Sequence, residues 1–242
     1  MRLKVQLLIK NDLKVDSLGH GVQALQYYFD VQTVTEDTVE PGKVVVDWCR
    51  VPEKLSSPDY KVFLGENVYK EDRNLYQHLP PFVPIPTEQV IPFNDLNMDR
   101  SKDAKRHDFV IIYLDGDKEP LRQRGVQEVC PVRYEKMGCW TPQEKLTEGY
   151  NNARAFIMVS KGGSRLLAYE SLMNGCPVIA DYDDFYLERA HGFIKVEDLE
   201  DMNCLANAVN WAFELDNEKV AVEARMAFDS SGYESKVAKL LR

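Results

Sequence analysis

At 242 residues the chain is long enough for one large domain or two small ones, each able to bury its own core. Hydrophobic residues make up 44% and charged residues 29%, and no apolar run approaches the roughly 18 residues that span a bilayer. The net charge of -9 argues against a surface dedicated to polyanions, because nonspecific affinity for nucleic acid comes from Lys and Arg neutralising phosphates.

Taken in chain order, RLKVQLLI (2–9) is an apolar run suited to a buried strand. GHGVQALQYYF (19–29) carries Val22, Leu25, Tyr28 and Phe29 at helical spacing. KVVVDWC (43–49) and YKVFLGEN (60–67) are further buried strands, of the near-continuous apolar kind found in parallel sheets covered on both faces. Between residues 68 and 105 the regularity fades, and LPPFVPIPTEQVIPFND (79–95) concentrates proline, which neither continues a helix nor donates to a ladder. This is the expected crossing between domains. A second alternating series follows: DFVIIYLDG (108–116) as strand, PLRQRGVQ as short helix, VCPVRY (129–134) as strand, and TPQEKLTEGYNNA (141–153) as a helix capped by Thr141 with Pro142 at its first position. RAFIMVS (154–160) and CPVIAD (176–181) are strands flanking one more helix, and helices at 198–215 and 217–228 close the series. Repeated βα units with short loops imply an α/β fold with parallel sheets.

In such sheets ligands bind outside the carboxyl ends of strands, so the informative loops follow Ile9, Val46, Leu114 and Ser160. After the last of these comes Lys161-Gly162-Gly163-Ser164-Arg165. Its glycines admit close backbone approach, the helix start offers unpaired amides, and two cations add positive charge, which together suit a phosphate. Glu170 lies about two turns further on, where a carboxylate can accept hydrogen bonds from two neighbouring hydroxyls, as a ribose diol requires. The competing reading is a plain turn followed by a glutamate facing solvent. The five cysteines (Cys49, Cys130, Cys139, Cys176, Cys204) form no CxxC pair, so a reducing cytoplasm is expected, with neither disulfides nor zinc. His20, His78, His107 and His191 are too dispersed for a metal site, and Lys4 and Lys10 bracket too short a run for a signal peptide.

Residues 141 to 196 resemble the carboxy-terminal nucleotide-sugar-binding domain of GT-B glycosyltransferases, especially the retaining family that includes glycogen synthase-like enzymes. TPQEKLTEGYNNARAFIMVS is similar to that family's helix and strand before the donor loop, GGSRLLAYESLMNGCPVIA to its donor-loop helix and next strand, and DYDDFYLERAHGFIKVED to the following loop and hairpin-like turn. DSLGHGVQALQYYFDVQTV resembles, more weakly, the glycine turn and first helix of the family's other domain. The resemblance implies a compact GT-B-like fold of two Rossmann-like domains facing a cleft: 1–95 as a reduced acceptor-side domain, 96–228 as the donor domain, and 229–242 as a tail helix packing back on the first. It also implies backbone amides near the donor phosphates at Gly19, His20 and Gly21, and a basic contact to the diphosphate at Lys118 or Arg122. One departure stands out: the family has two glutamates around this helix, and Gly162 occupies the position of the first, while Glu170 matches the second.

Other candidates rest on position alone. Asp47 and Glu66 end strands on the presumed cleft side, where an inverting enzyme needs a base, and His20 is either a donor or acceptor contact or a local helix-start residue. Arg133 is a further cation or a partner for a surface carboxylate. Asp183 and Asp184 either bind sugar or cap the next helix, and Trp48, Tyr69, Tyr76 and Phe82 either form an acceptor platform or pack the core. The expectation is a metal-independent, retaining glycosyltransferase using a nucleotide sugar such as a UDP-sugar, with Glu170, Arg165, Ser164, Gly163, Lys118, Gly19 and Gly21 on the donor and Asp47 and His20 as catalytic candidates. The acceptor is open among a glycan, a small molecule and a modified base in viral DNA. A noncatalytic nucleotide-sugar or partner-binding module and a nucleotide-sugar epimerase are the alternatives.

Overall fold

The computed structural model of the chain describes residues 3–9, 20–47, 49–65, 72, 75–80, 108–114, 116, 119–159, 165–184, 186–228 and 233–242, with backbone alone at 20, 21, 23, 143 and 165. The chain divides into two compact units, Met1–Pro84 with Asp229–Arg242, and Ile85–Phe228. The proline-rich segment 79–95 and the boundary expected at 95 lie almost wholly outside the described residues.

In the first unit, β1 (Lys4–Leu8), α1 (His20–Tyr28), β2 (Asp30–Val34), β3 (Gly42–Val46), β4 (Tyr60–Leu64) and β5 (Gln77–His78) form a sheet in the order β2-β1-β3-β4-β5, every pair parallel. Side chains alternate across a strand, so each strand feeds two cores. On one face Val5, Leu7, Val45 and Phe63 pack with Val22 and Leu25 of α1. On the other, Leu8, Val44, Val46, Val62 and Leu64 pack with Val34, Val39 and with Leu55 of a 3₁₀ turn, Glu53–Ser56. Gln6 secures the loop before β3, its side-chain amide donating to Glu40 O at 2.7 Å and accepting from Glu40 N at 2.8 Å.

The second unit runs β6 (Phe109–Leu114), α2 (Pro120–Val129), β7 (Arg133–Gly138), α3 (Gln143–Asn152), β8 (Ala155–Met158), α4 (Arg165–Met173), β9 (Val178–Ala180), β10 (Phe193–Lys195), α5 (Met202–Glu214) and α6 (Asn217–Phe228). Its sheet is also all parallel, in the order β10-β9-β8-β6-β7. Counted from its own first strand, this order matches that of the first unit. All six residues of β6 and all four of β8 are buried, as strands covered on both faces must be. Val110, Ile112 and Ile157 face α2 and α5 through Val126, Leu205 and Val209. Tyr113 and Phe156 face the opposite side, where Tyr150 of α3 meets Phe156 edge-on at 5.3 Å. On α5, Asp201 caps the helix by accepting from Cys204 N at 2.8 Å.

Three expectations are corrected. The strand expected at 129–134 is Arg133–Gly138, because α2 continues to Val129 and Pro131 has no amide to donate; Val129 reaches the core from the end of α2 and Val132 from the loop that follows. The turn expected as a hairpin after residue 181 is a 3₁₀ turn, Leu187–Arg189, followed by β10, which pairs parallel to β9. Thr141 does not cap α3: Pro142 is extended (ψ 146°), the helix begins at Gln143, and Thr141 Oγ1 accepts from Gly138 N at 2.9 Å.

The last helix, α7 (Tyr233–Leu241), belongs to the first unit. Tyr233, Val237 and Leu241 recur every four residues and enter the core of Val5, Leu7 and Phe63, while Lys61 Nζ donates to Leu240 O at 3.1 Å. Leu241 is fully buried. Leu241→Ala is therefore expected to cost about 2 kcal/mol, the lower end for a core leucine because a terminal helix can relax into the space. Urea unfolding followed by circular dichroism checks this, and an unchanged midpoint would contradict the packing.

Candidate functional site

Each sheet has a switch point where the chain leaves its first strand in one direction and later returns on the other side: β1 beside β3, and β6 beside β8. Ligands of doubly wound sheets bind outside the carboxyl ends at such points. At the first switch point α1 begins at His20, so Gly21 is its second residue; Gly19 and the side chain of His20 lie outside the described residues. Asp47 directly follows β3 and is fully buried. A Cβ on Gly65 would come within 2.6 Å of Val22 Cγ2 and 2.7 Å of Asp47 Oδ1, so only glycine after β4 leaves room for this carboxylate and the first turn of α1 together. A general base must reach its substrate's proton. Asp47, the sequence's candidate for that role, lies buried at the carboxyl end of β3.

At the second switch point the loop after β6 contains two left-handed residues, Gly116 (φ 59°) and Glu119 (φ 54°), the latter an uncommon state for a residue with a Cβ. Glu119 leads into Pro120, the first residue of α2, and its carboxylate lies 3.4 Å from Arg122 Nε. Arg122 does not point its charge at solvent. Its Nε donates to Val159 O at 2.9 Å, one η nitrogen pairs with Asp181, and Glu200 lies 3.9 Å from the other. Glu200 also crosses α2 at Gly125, where an added Cβ would meet its Oε1 at 2.4 Å. The side chains of Arg122 and Asp181 are only 13% and 2% exposed. Lys118, its companion candidate, lies outside the described residues, as does Glu66.

Downstream of β8, Gly162, Gly163 and Ser164 also lie outside the described residues, and Arg165 opens α4 with its backbone alone described. From Leu167 to Met173 every α4 residue is buried, so the helix is covered all round. On its outer side Tyr169 meets Phe228 at 4.6 Å between ring centres, and Arg225 Nε donates to Met173 O at 2.8 Å. Its end is set by Gly175 at φ 75°: Gly175 N donates to Leu172 O at 2.8 Å and Cys176 N to Ser171 O at 2.9 Å, the paired bonds of a Schellman motif, and Pro177 then prevents continuation. Glu170, in the middle of this helix, is 6% exposed. The solvent-facing alternative for it is thereby removed. Its carboxylate is close enough to act on the phenol of Tyr150: burial first, then the charge of Glu170, pushes that phenol well above the ordinary tyrosine value.

The whole chain matches a solved glycosyltransferase in fold. That structure is AviGT4, a glycosyltransferase involved in avilamycin A biosynthesis; the match covers 99% of this chain and 97% of that one, with a TM-score of 0.53 at 12% identity. No family model matches the chain, and no curated protein does. At that identity the likeness is one of fold, and it agrees with the two-unit α/β architecture expected above.

The remaining candidates that fall within the described residues have structural partners. Asp184 accepts from Tyr186 N and Leu187 N, each at 2.9 Å, and so caps the 3₁₀ turn, whereas Asp183 pairs with Lys195, which also lies 3.4 Å from Glu188. Arg133 is exposed and pairs with Glu135 at 3.5 Å. Tyr76 packs against the second core of the first unit, while Trp48, Tyr69 and Phe82 lie outside the described residues. A hollow of about 420 Å³ between β7 and α3, lined by Phe109, Arg133, Lys145 and Glu148, runs along the edge strand and not across the switch point. Among the described residues no group of three or more His, Cys, Asp or Glu could hold a metal ion, and no helix is long and apolar enough to cross a membrane. The sequence reading missed the contact between Arg122 and Asp181, because residues 59 positions apart carry no local signal of it.

The buried phenol yields a pH dependence. A tyrosine whose folded pKa is raised contributes stability that is complete below its unfolded value of about 10 and is lost as the pH rises through the folded value. Tyr150→Phe removes that titration. Urea midpoints measured between about pH 9 and 11 are expected to fall less steeply in the variant than in the wild type; equal slopes would argue against a buried phenol.

Proposed function

We propose that this chain is a glycosyltransferase that moves a sugar from a nucleotide-sugar donor to an acceptor. The donor is held on the second unit, and the anomeric configuration is retained. The observation that carries the reading is Glu170: a carboxylate almost buried in a covered helix, within a chain that shares the fold of a glycosyltransferase along nearly its whole length. Burying a carboxylate costs several kcal/mol unless hydrogen bonds compensate, and in this reading Glu170 accepts the hydroxyls of the ribose diol.

In this reading the backbone amides near Gly163 and Ser164 and the charges of Lys118 and Arg165 take the diphosphate. The cations and the start of α4 then stabilise the charge that grows on the leaving diphosphate as the sugar bond breaks. The acceptor is assigned to the first unit. Asp47 stays the candidate for a base only if the reaction inverts, since a retaining transfer does not require one to deprotonate the acceptor in this way. Lys and Arg take the place a divalent metal fills elsewhere. Transfer is therefore expected to persist in excess chelator, and activity abolished by chelator and restored by magnesium would overturn that part.

The reading is tested by a thermal-shift screen of ADP, GDP, UDP and thymidine diphosphate and their sugars. A ligand at a hundred times its dissociation constant adds about 2.7 kcal/mol of stability. Glu170→Gln keeps the volume and removes the charge, and is expected to weaken binding of the responding nucleotide by roughly tenfold to a hundredfold, the worth of a charge-assisted bond of about 1.5 to 3 kcal/mol. Undiminished binding in the folded variant would remove Glu170 from the site. Binding of a nucleotide sugar with neither transfer nor slow hydrolysis would instead favour a noncatalytic module, the alternative that Gly162 in the family's glutamate position keeps open.

A further inference from the structure

We propose that Arg122 is a positioning residue for the diphosphate end of the donor site, acting through the backbone it holds and not by touching the phosphate. The proposal rests on the nucleotide-sugar reading above. Arg122 stands at a junction of α2, β8 and β9 on the carboxyl edge of the second sheet. Its Nε donates to the carbonyl of Val159, the residue through which β8 hands the chain on toward Arg165 and α4. One η nitrogen holds Asp181, the first residue after β9. One planar group thus fixes the points at which two adjacent strands release the chain beside the switch point. A guanidinium does this because its donors diverge in a fixed plane; an ammonium is a single point that cannot hold both with the same geometry.

The surrounding charge argues against a direct grip on an anion. Glu119, Asp181 and Glu200 lie around the one guanidinium, so its positive charge is already neutralised locally. Asp181 is moreover held at some cost, since its Oδ1 is buried with no hydrogen-bond partner among the described residues. Desolvation offsets much of the attraction in a buried pair, so what the pair contributes most clearly is a fixed arrangement.

Asp181→Asn separates the two roles by the sign of its effect. Removing a negative charge near an anion site, and loosening an arginine that could then reach the anion, tightens binding if Arg122 is a direct ligand. If Arg122 positions the backbone, the same substitution weakens binding because the end of β9 is no longer held by charge to the guanidinium that holds Val159. Titration calorimetry with inorganic pyrophosphate, and with whichever of ADP, GDP, UDP and thymidine diphosphate the wild type binds, is expected to show at least a tenfold loss in Asp181→Asn, at a temperature where urea unfolding shows the variant folded. Arg122→Lys, which keeps the charge, is expected to lose as much, and it decides the matter alone if Asp181→Asn does not fold. Unchanged or tighter binding in Asp181→Asn, or wild-type affinity in Arg122→Lys, overturns the positioning role while leaving the transfer reading intact. A wild type that binds none of these probes removes the transfer reading and this inference with it.

Discussion

A parallel strand that is apolar along its length has to be covered on both faces, and this constraint organises the second unit around β6. All six of its residues are buried, so helices must lie on each side, and each returning connection must carry the chain back over the sheet before the next strand begins. Helices α2 and α5 meet one face, and α3 and α4, with α6 packed against α4, serve the other. Every strand then ends on the same edge. The loops that carry polar chemistry collect there because the rest of the sheet is closed to water.

Against that apolar background the buried charges are few and placed with purpose. Asp47 and Asp181 each follow a strand directly, and each is accommodated by a local exception: Gly65 makes room beside Asp47, and Arg122 supplies the counter-charge for Asp181. Glu170 differs in lying within a helix, where its neighbour is the phenol of Tyr150. A carboxylate in such a setting loses hydration that only close hydrogen bonds replace, so these positions define the geometry of their surroundings more strictly than any leucine does.

The two units share one strand order, yet they are covered differently. Among the described residues of the first, α1 and the tail helix α7 pack on one face, while Leu55 of a 3₁₀ turn and loop residues such as Val39 pack on the other. A fold shared with a glycosyltransferase at 12% identity leaves most side chains different, so the chemistry has to be argued from the residues at the carboxyl edges.

How much of this was legible in the sequence follows a physical line. The interior strands β1, β3, β4, β6, β8 and β9 were all readable as apolar runs, because a strand with neighbours on both sides is buried and its composition records that. The strands left unread or misplaced were β2, β5, β7 and β10, the edges of the two sheets. An edge strand has one neighbour and one side open to water, so DVQTV and RYEKMG need no apolar pattern and leave no periodic signal. The same division holds at the site. Glycine, Glu170 and a strand-helix-strand rhythm are local facts, and the sequence by itself determined them. That Glu170 and Asp47 are buried, and that Arg122 joins Val159 to Asp181, were decided only by tertiary structure, because burial and partnership depend on residues brought together from distant parts of the chain.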